Sequence, residues 1–449
     1  MNASSISCPR TEHAAPADAV VAPAAPASPA VALRPATLLE RLGRTAILNR
    51  LAGLRSARLE FHEGGRSTVV GAGPTTLRID IHDPSAWADF ASGGTVGSGA
   101  AYIAGIWSCP DLVALMRLLI RDRATLDGLE GGFARLFSPL QRLWHWSRAN
   151  TISGSRANIA AHYDLGNDFF AQWLDPGMTY SSAWWPQPDL SLEEAQSAKI
   201  DRLCRMLDLG PDDHLLEIGT GWGAFAIHAA SRYGCRVTTT TISQRQWEVA
   251  RERVAAAGLS ARVAVELQDY RALTGTYDKL VSVEMIEAVG HRFYPTFFAT
   301  CARLLKPEGA MAMQAITIAE RQFASALRAV DFIQAYVFPG CCIPSLGALS
   351  AAMGRASDFD IVAVHDLTPD YARTLALWRQ NFNAAAATIA ALGHGEDFQR
   401  LWNFYLAYCE GGFAERAIGC TQILYARGGW RSAAQRRADG GSGAGCDGG

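Results

Sequence analysis

The chain has 449 residues, with 41 Lys and Arg against 43 Asp and Glu and a formal charge of −2. That length allows two domains with a sizeable core, and the balanced charge excludes any global argument for nucleic acid as a partner. Ten cysteines without a C-x-x-C pair, and no secretory leader, read as a reducing cytosol with no metal site expected.

Residues 1–36 are Ala/Pro-rich, and their prolines interrupt every apolar run before a signal-peptide core can form, so they read as a disordered tail. Residues 37–147 read as a small α/β accessory domain. It has strand-like alternation over Thr76–Ile81 and an amphipathic helix over Asp111–Arg123. That helix puts Leu112, Leu115, Met116 and Leu119 on one side, with Arg117, Arg121 and Arg123 nearby. It either packs on its domain or lies on a membrane surface. The stretch M-T-Y-S-S-A-W-W (residues 178–185) is unusually rich in aromatics, which suit an apolar wall that meets a cation.

Within residues 148–430 short apolar runs alternate with helical segments, which predicts a doubly wound, mostly parallel sheet. The expected strands are His214–Ile218, Arg236–Thr241, Ala261–Leu267, Lys279–Val283 and Ala310–Ile316. The expected helices are Phe225–Tyr233, Gln244–Ala257 and Tyr294–Leu305, the last ended by Lys306-Pro-Glu-Gly309. Residues 321–345 interrupt the alternation with one apolar helix, A-L-R-A-V-D-F-I-Q-A-Y-V-F, and a P-G-C-C-I-P turn; such an insertion commonly builds a substrate pocket. Residues 431–449 are Gly-rich and read as a second disordered tail.

The segment L-L-E-I-G-T-G-W-G (residues 215–223) sets three glycines where a strand turns into a helix, so that backbone N–H groups can press against a ligand. A dinucleotide is one candidate, since Gly219, Gly221 and Ala224 fit G-x-G-x-x-A. The acid that would bind a ribose after the second strand is missing from T-T-T-T-I-S-Q-R-Q (residues 238–246). The spacing E-x-G-x-G-x-G favours S-adenosylmethionine instead, with Asp269 placed for the adenine side. A purely structural glycine turn is the third reading.

Nine motifs in order carry a resemblance to the cyclopropane-fatty-acyl-phospholipid synthase family, from about Asn158 to about Arg427. They are A-H-Y-D-L-G-N-D-F-F (161–170), D-P-G-M-T-Y-S-S-A-W-W (175–185), the glycine loop, T-I-S-Q-R-Q (241–246), L-Q-D-Y-R (267–271), V-S-V-E-M-I-E-A-V-G (281–290), L-K-P-E-G (305–309), F-P-G-C-C-I-P-S (338–345) and Y-L-A-Y-C-E-G-G-F (405–413). The resemblance implies a class I methyltransferase, Rossmann-like fold, and transfer of a methyl group from S-adenosylmethionine to a cis double bond of an unsaturated phospholipid acyl chain. Proton loss then closes a cyclopropane ring. It also implies a cytoplasmic protein, peripheral at the inner face of the membrane, and allows a homodimer.

By the same resemblance, Tyr180, Ser181, Glu217, Gly219, Gly221, Trp222, Gly223, Thr241, Ser243, Gln246, Asp269 and Tyr270 would hold the cofactor. Ser182, Glu287, Gln314, Tyr371 and the backbone of Ile316 would cradle a bicarbonate ion acting as general base. Cys409 matches a cysteine suspected of nucleophilic work, and Trp184, Trp185 and Tyr163 are expected as walls near the cation. Ser182 stands where many members carry Cys, and Gln314 where many carry His; Gln cannot take up a proton. Those departures leave open a methyl- or methylene-branched product. A non-catalytic lipid-binding relative is the reading of another class.

Overall fold

The computed structural model describes residues 33–122, 166–432 and 435. Residues 1–32, 433–434 and 436–449 of the two tails, the 147/148 boundary, Arg123 and Tyr163 lie outside the described residues.

The N-terminal unit starts with α1 (Leu38–Leu51), closed at its head by a Thr37/Glu40 capping box. Strands β1 (Ala57–Glu63), β2 (Arg66–Gly71), β3 (Thr75–Ile81) and β4 (Trp107–Ser108) form a sheet in the order β2-β1-β3-β4. β1 and β3 run parallel with Phe61 opposite Ile79. Helix α2 (Ala86–Ile103) breaks at Gly94, and α3 (Leu112–Arg121) is capped by the Asp111 carboxylate.

The arginines of α3 settle its orientation: Arg117 and Arg121 both bridge Glu415, at 2.6 and 2.7 Å. The expected amphipathic helix is therefore a joint between the two parts of the chain. Its apolar side is buried and two of its arginines are paired with another element, as the packed alternative expects.

After α4 (Asn167–Phe170) and α5 (Leu192–Met206) comes a seven-stranded sheet, ordered β10-β11-β9-β8-β5-β6-β7. Its strands are β5 (His214–Ile218), β6 (Arg236–Thr241), β7 (Val263–Leu267), β8 (Tyr277–Val283), β9 (Leu305–Ile318), β10 (Phe359–Asp366) and β11 (Ile418–Arg427). β5 to β9 run parallel, whereas β11 is antiparallel to both β9 and β10. The mostly parallel, doubly wound α/β sheet is as expected.

Helices α6 (Ala224–Tyr233), α7 (Gln244–Ala256) and α8 (Tyr294–Leu304) follow β5, β6 and β8. Strand β9 begins at Leu305, so Lys306-Pro-Glu-Gly309 enters the strand and is not a turn before it. The single helix expected over 326–338 is two: α9 (Glu320–Ala326) and α10 (Phe332–Tyr336). Asp331 separates them, because its carboxylate accepts from Gln334 N–H while the Gln334 side chain returns to its own N–H. The chain then runs through α11 (Leu346–Ala356), α12 (Thr368–Ala384), α13 (Ala386–Ala391) and α14 (Glu396–Ala414).

One apolar core runs from the N-terminal sheet through α14 to α12. Gly411 on α14 permits this approach: a Cβ there would lie 2.8 Å from the Met116 side chain of α3.

Candidate active site

In a doubly wound sheet, ligands bind at the carboxyl ends of strands where the order reverses. Here the reversal lies between β5 and β8. The end of β5 and the loop after it carry Glu217 to Gly223, and Glu284 follows β8 directly. Both line one cavity of about 960 Å³.

Gly219, Gly221 and Gly223 have φ of 105°, 53° and 89°, a region that side-chain-bearing residues rarely enter. A Cβ at Gly221 would meet nothing within 4 Å, so the loop backbone opens onto the cavity. Glu217 is buried, and its Oε2 has no hydrogen-bond partner. Burial pushes this carboxyl up to about 8. A buried acid with an orphaned oxygen fits the ammonium of S-adenosylmethionine, whose other contacts would come from Tyr180, Ser181, Thr241 and Gln246 around the same cavity. Thr241 Oγ1 donates to Gln246 Oε1 at 2.8 Å and so orients that amide.

Other residues expected at the cofactor have different work. Ser243 caps α7, accepting from Gln246 N–H, and does not line the cavity. Both Asp269 oxygens are bound by Arg271, at 2.8 and 2.6 Å, so its carboxylate serves the turn while the residue still forms cavity wall. The Tyr270 ring packs on Phe297 at 5.6 Å, and Trp222 donates to Asn167 at 2.8 Å; both also reach the cavity.

Trp184 and Trp185 do not wall the cavity, contrary to expectation. Arg202 sits over the Trp184 ring at 4.5 Å and Arg373 over Trp185 at 3.8 Å, so each ring has its cation from a neighbouring helix. Tyr180, Trp222, Phe338, Tyr371 and Tyr405 are among the aromatics of the cavity wall. Tyr180 and Tyr405 share a hydroxyl hydrogen bond of 2.8 Å.

The residues expected around an anion converge on Glu284. Its Oε1 accepts from Ser182 N–H at 2.9 Å and Gln314 Nε2 at 2.8 Å, and its Oε2 accepts from the Tyr371 hydroxyl at 2.7 Å. Gln422 donates to Gln314 Oε1 at 2.9 Å and thereby fixes which end of the amide faces Glu284. Ser182 and Gln314 are fully buried and stand behind Glu284, off the cavity surface. The fifth group, Ile316 N–H, donates to Glu287 Oε1 at 2.5 Å. Ser182 N–H, Gln314 Nε2, the Tyr371 hydroxyl and Ile316 N–H are taken by the side chains of Glu284 and Glu287, and the Ser182 hydroxyl donates to Ala183 O, so the set does not fit a bicarbonate ion.

Glu284 holds φ of 48°, unusual for a residue with a side chain and a common mark of functional strain. Its signal in the sequence was an acid immediately after a core strand, overlooked beside Glu287 three residues on. Glu287 faces the same cavity, with its Oε2 unpartnered. Burial, and then the charge of Glu284, push its carboxyl up to about 8, so it is protonated at neutral pH.

Lys199 was also missed. It is wholly buried on α5, lines the cavity and donates to Ser181 Oγ at 2.6 Å. Burial lowers it to about 8 against the pull of Glu284, Asp175, Cys420 and Glu217. Cys409, Cys341 and Cys342 reach the cavity, but burial raises all three thiols, which disfavours a nucleophilic thiolate.

The family model described as Mycolic acid cyclopropane synthetase matches residues 151–423. The chain is 40% identical to a tuberculostearic acid methyltransferase of Mycobacterium tuberculosis, over 82% of this chain and 87% of the relative. It is 36% identical to a cyclopropane-fatty-acyl-phospholipid synthase of Escherichia coli, over 80% of this chain and 90% of that one. Among solved structures, a mycolic acid cyclopropane synthase complexed with SAH and CTAB aligns with a TM-score of 0.57 and 33% identity. It covers 60% of this chain and 98% of its own. With its glycine loop at the sheet reversal and its acid-lined apolar cavity, the chain belongs to the mycolic acid cyclopropane synthetase family and is an S-adenosylmethionine-dependent C-methyltransferase.

Proposed function

We propose that the enzyme methylates the cis double bond of unsaturated phospholipid acyl chains and that the product carries a methylene branch. The observation that carries this reading is Glu284, a carboxylate of the chain itself held where the expected anion would sit. S-adenosylmethionine supplies an electrophilic methyl group, which the alkene π electrons attack. The positive charge then left on the neighbouring carbon is met by the ring faces of Tyr180, Tyr371 and Phe338.

Glu284 accepts the final proton. Three donors hold it in the wall, so it cannot follow the substrate as a free ion could. A hydride shift to the cationic carbon moves the charge to the methyl-bearing carbon. Loss of a methyl proton to Glu284 then turns the C–H pair into the second bond of a C=CH2 branch on the open chain, with every electron pair accounted for.

Access to lipid is supported by α1, where Leu38 and Leu39 are 67% exposed and Leu42 60%, together within one turn or so of helix. No helix among the described residues is long and apolar enough to cross a membrane. The exposed leucines of α1 favour docking at a membrane surface, which we place at its cytoplasmic face.

Vesicles of a monounsaturated phospholipid with methyl-labelled S-adenosylmethionine test the proposal. Label in a chain whose proton spectrum shows a terminal methylene supports it; ring protons at high field select cyclopropane formation, the reaction named for the Escherichia coli relative. No label in lipid would sink both.

A further inference from the structure

The cavity does not end in the catalytic part of the chain. Beyond Tyr405 and Cys409 of α14 it continues between Leu115 and Leu119 of α3 and reaches Leu59 and Phe61 of β1. Ile79 of β3 and Leu51 of α1 close it. Those side chains are the inward face of the N-terminal sheet and its covering helix, the positions that normally meet and fill a small domain's core. Phe61 and Ile79 are only 2% and 4% exposed, so this part of the lining lies inside the N-terminal unit.

A void of this kind costs stability in proportion to its size, and a unit this small has little core to spare. Its lining is apolar, so ordered water would find few partners there. The same cavity is also lined by Ser325, Leu327 and Arg328, all exposed, where a polar group can stay in water, and by Glu284.

We infer that the N-terminal unit forms the far end of the acyl site and receives the terminal methylenes of the chain whose double bond sits at Glu284. This rests on the lipid reading above and extends it. An apolar chain end suits an apolar pocket that shares one cavity with the reacting position. Solved relatives of the mycolic type are spanned by 60% of this chain while 98% of their own length is used. The extra unit is thus an addition to an already complete catalytic fold. Its role in chain-length selection goes beyond docking.

Two substitutions shorten the pocket without touching the catalytic groups. Leu119→Trp fills it from α3. Gly93→Phe adds bulk from α2, where a Cβ has nothing within 4 Å and the backbone is not left-handed, so the fold tolerates it. Binding of alkyl phosphocholines of increasing chain length, kept below their micelle thresholds, is measured by calorimetry with S-adenosylhomocysteine present.

The wild type should gain about fourfold in affinity per added methylene up to a limit. In either variant that limit should arrive several carbons earlier, with short-chain and cofactor affinity unchanged. A limit at the wild-type length in both folded variants, or an equal loss at every length, overturns the inference. Lipid turnover is read separately: chain-length-dependent binding without any methylation leaves the pocket standing and removes the reaction.

Discussion

The Tyr371 hydroxyl donates to Glu284 Oε2 at 2.7 Å, joining the first turns of α12 to the end of β8 across 87 residues of sequence. The Tyr371 ring is stacked on Phe413 at 4.2 Å, so the donor is fixed by packing as well as by its bond. Glu284 is thus a preorganised acceptor whose supports come from four separate segments, at Ser182, Gln314, Tyr371 and, behind them, Gln422. Such preorganisation is what a base needs in a site with little water.

Replacing this acceptor should stop the reaction. Glu284→Gln should lower turnover by about a hundredfold or more while leaving cofactor affinity intact. Wild-type turnover should not change when bicarbonate is stripped from the assay. Glu284→Gly relieves the left-handed backbone and frees the three donors, so it should regain turnover when bicarbonate is added. Lipid assays with and without the ion decide this.

Gln314 holds Glu284 and is held by Gln422. Gln314→Leu removes one of the donors of Glu284 and leaves the buried Gln422 amide without its acceptor, so it should cost about 1–3 kcal/mol of stability, read in denaturant melts. Its turnover should fall more than its substrate KM changes, because the residue does not reach the cavity.

Glu217 and Glu287 lie at about 8 in the folded protein, against an ordinary value of 4.5, because burial disfavours their charge. The folded state therefore holds these protons more tightly than the unfolded state. The stability this contributes is complete below about pH 4.5 and is lost as pH rises through 8, at up to about 1.4 kcal/mol per pH unit for each group. Melting of the ligand-free protein between pH 5 and 8 should show this slope, and Glu217→Gln should flatten it.

Cofactor binding should release a proton. An ammonium beside Glu217 favours its charged form, so affinity should rise with pH and level off above about 8, the free-state value. Calorimetry in two buffers of different ionisation heat counts the proton, and Glu217→Gln should abolish its release.

The buried thiol of Cys409 has no route to a reactive thiolate. Cys409→Ser should keep turnover within a few-fold of wild type, and a loss of a hundredfold would restore the cysteine as a participant.

Much of the fold is local and was therefore legible. β5 and β6 lie where alternation of apolar runs and turns placed them, and β7 and β8 differ by two residues at their starts. The glycine loop announces itself because only glycine enters its φ region at no cost. β10 and β11 gave no such signal. Their partners are each other and β9, far away in the chain; β11 is buried on both faces and so has no alternation to read, and β10 is a largely exposed edge strand.

The candidate site divides the same way. Glu217, Gly221, Gln246, Glu287 and Tyr371 were found by their motifs, and all line the cavity. Motifs could not tell Trp184 and Trp185 from wall residues, since the guanidinium groups covering them come from Arg202 and Arg373. Nor could they rank Glu284 against Glu287. Both sit in V-S-V-E-M-I-E, and which one becomes the acceptor depends on where β9, α12 and the 175–185 loop bring their donors.

The sequence by itself determined the family, the donor and the parallel sheet, because glycine conformations, strand periodicity and capping are set by neighbours along the chain. Only the tertiary structure decided what the anion is and how far the acyl cavity extends. Hydrogen bonds across 30 to 102 residues and a void shared between two sheets exist only once distant segments have packed.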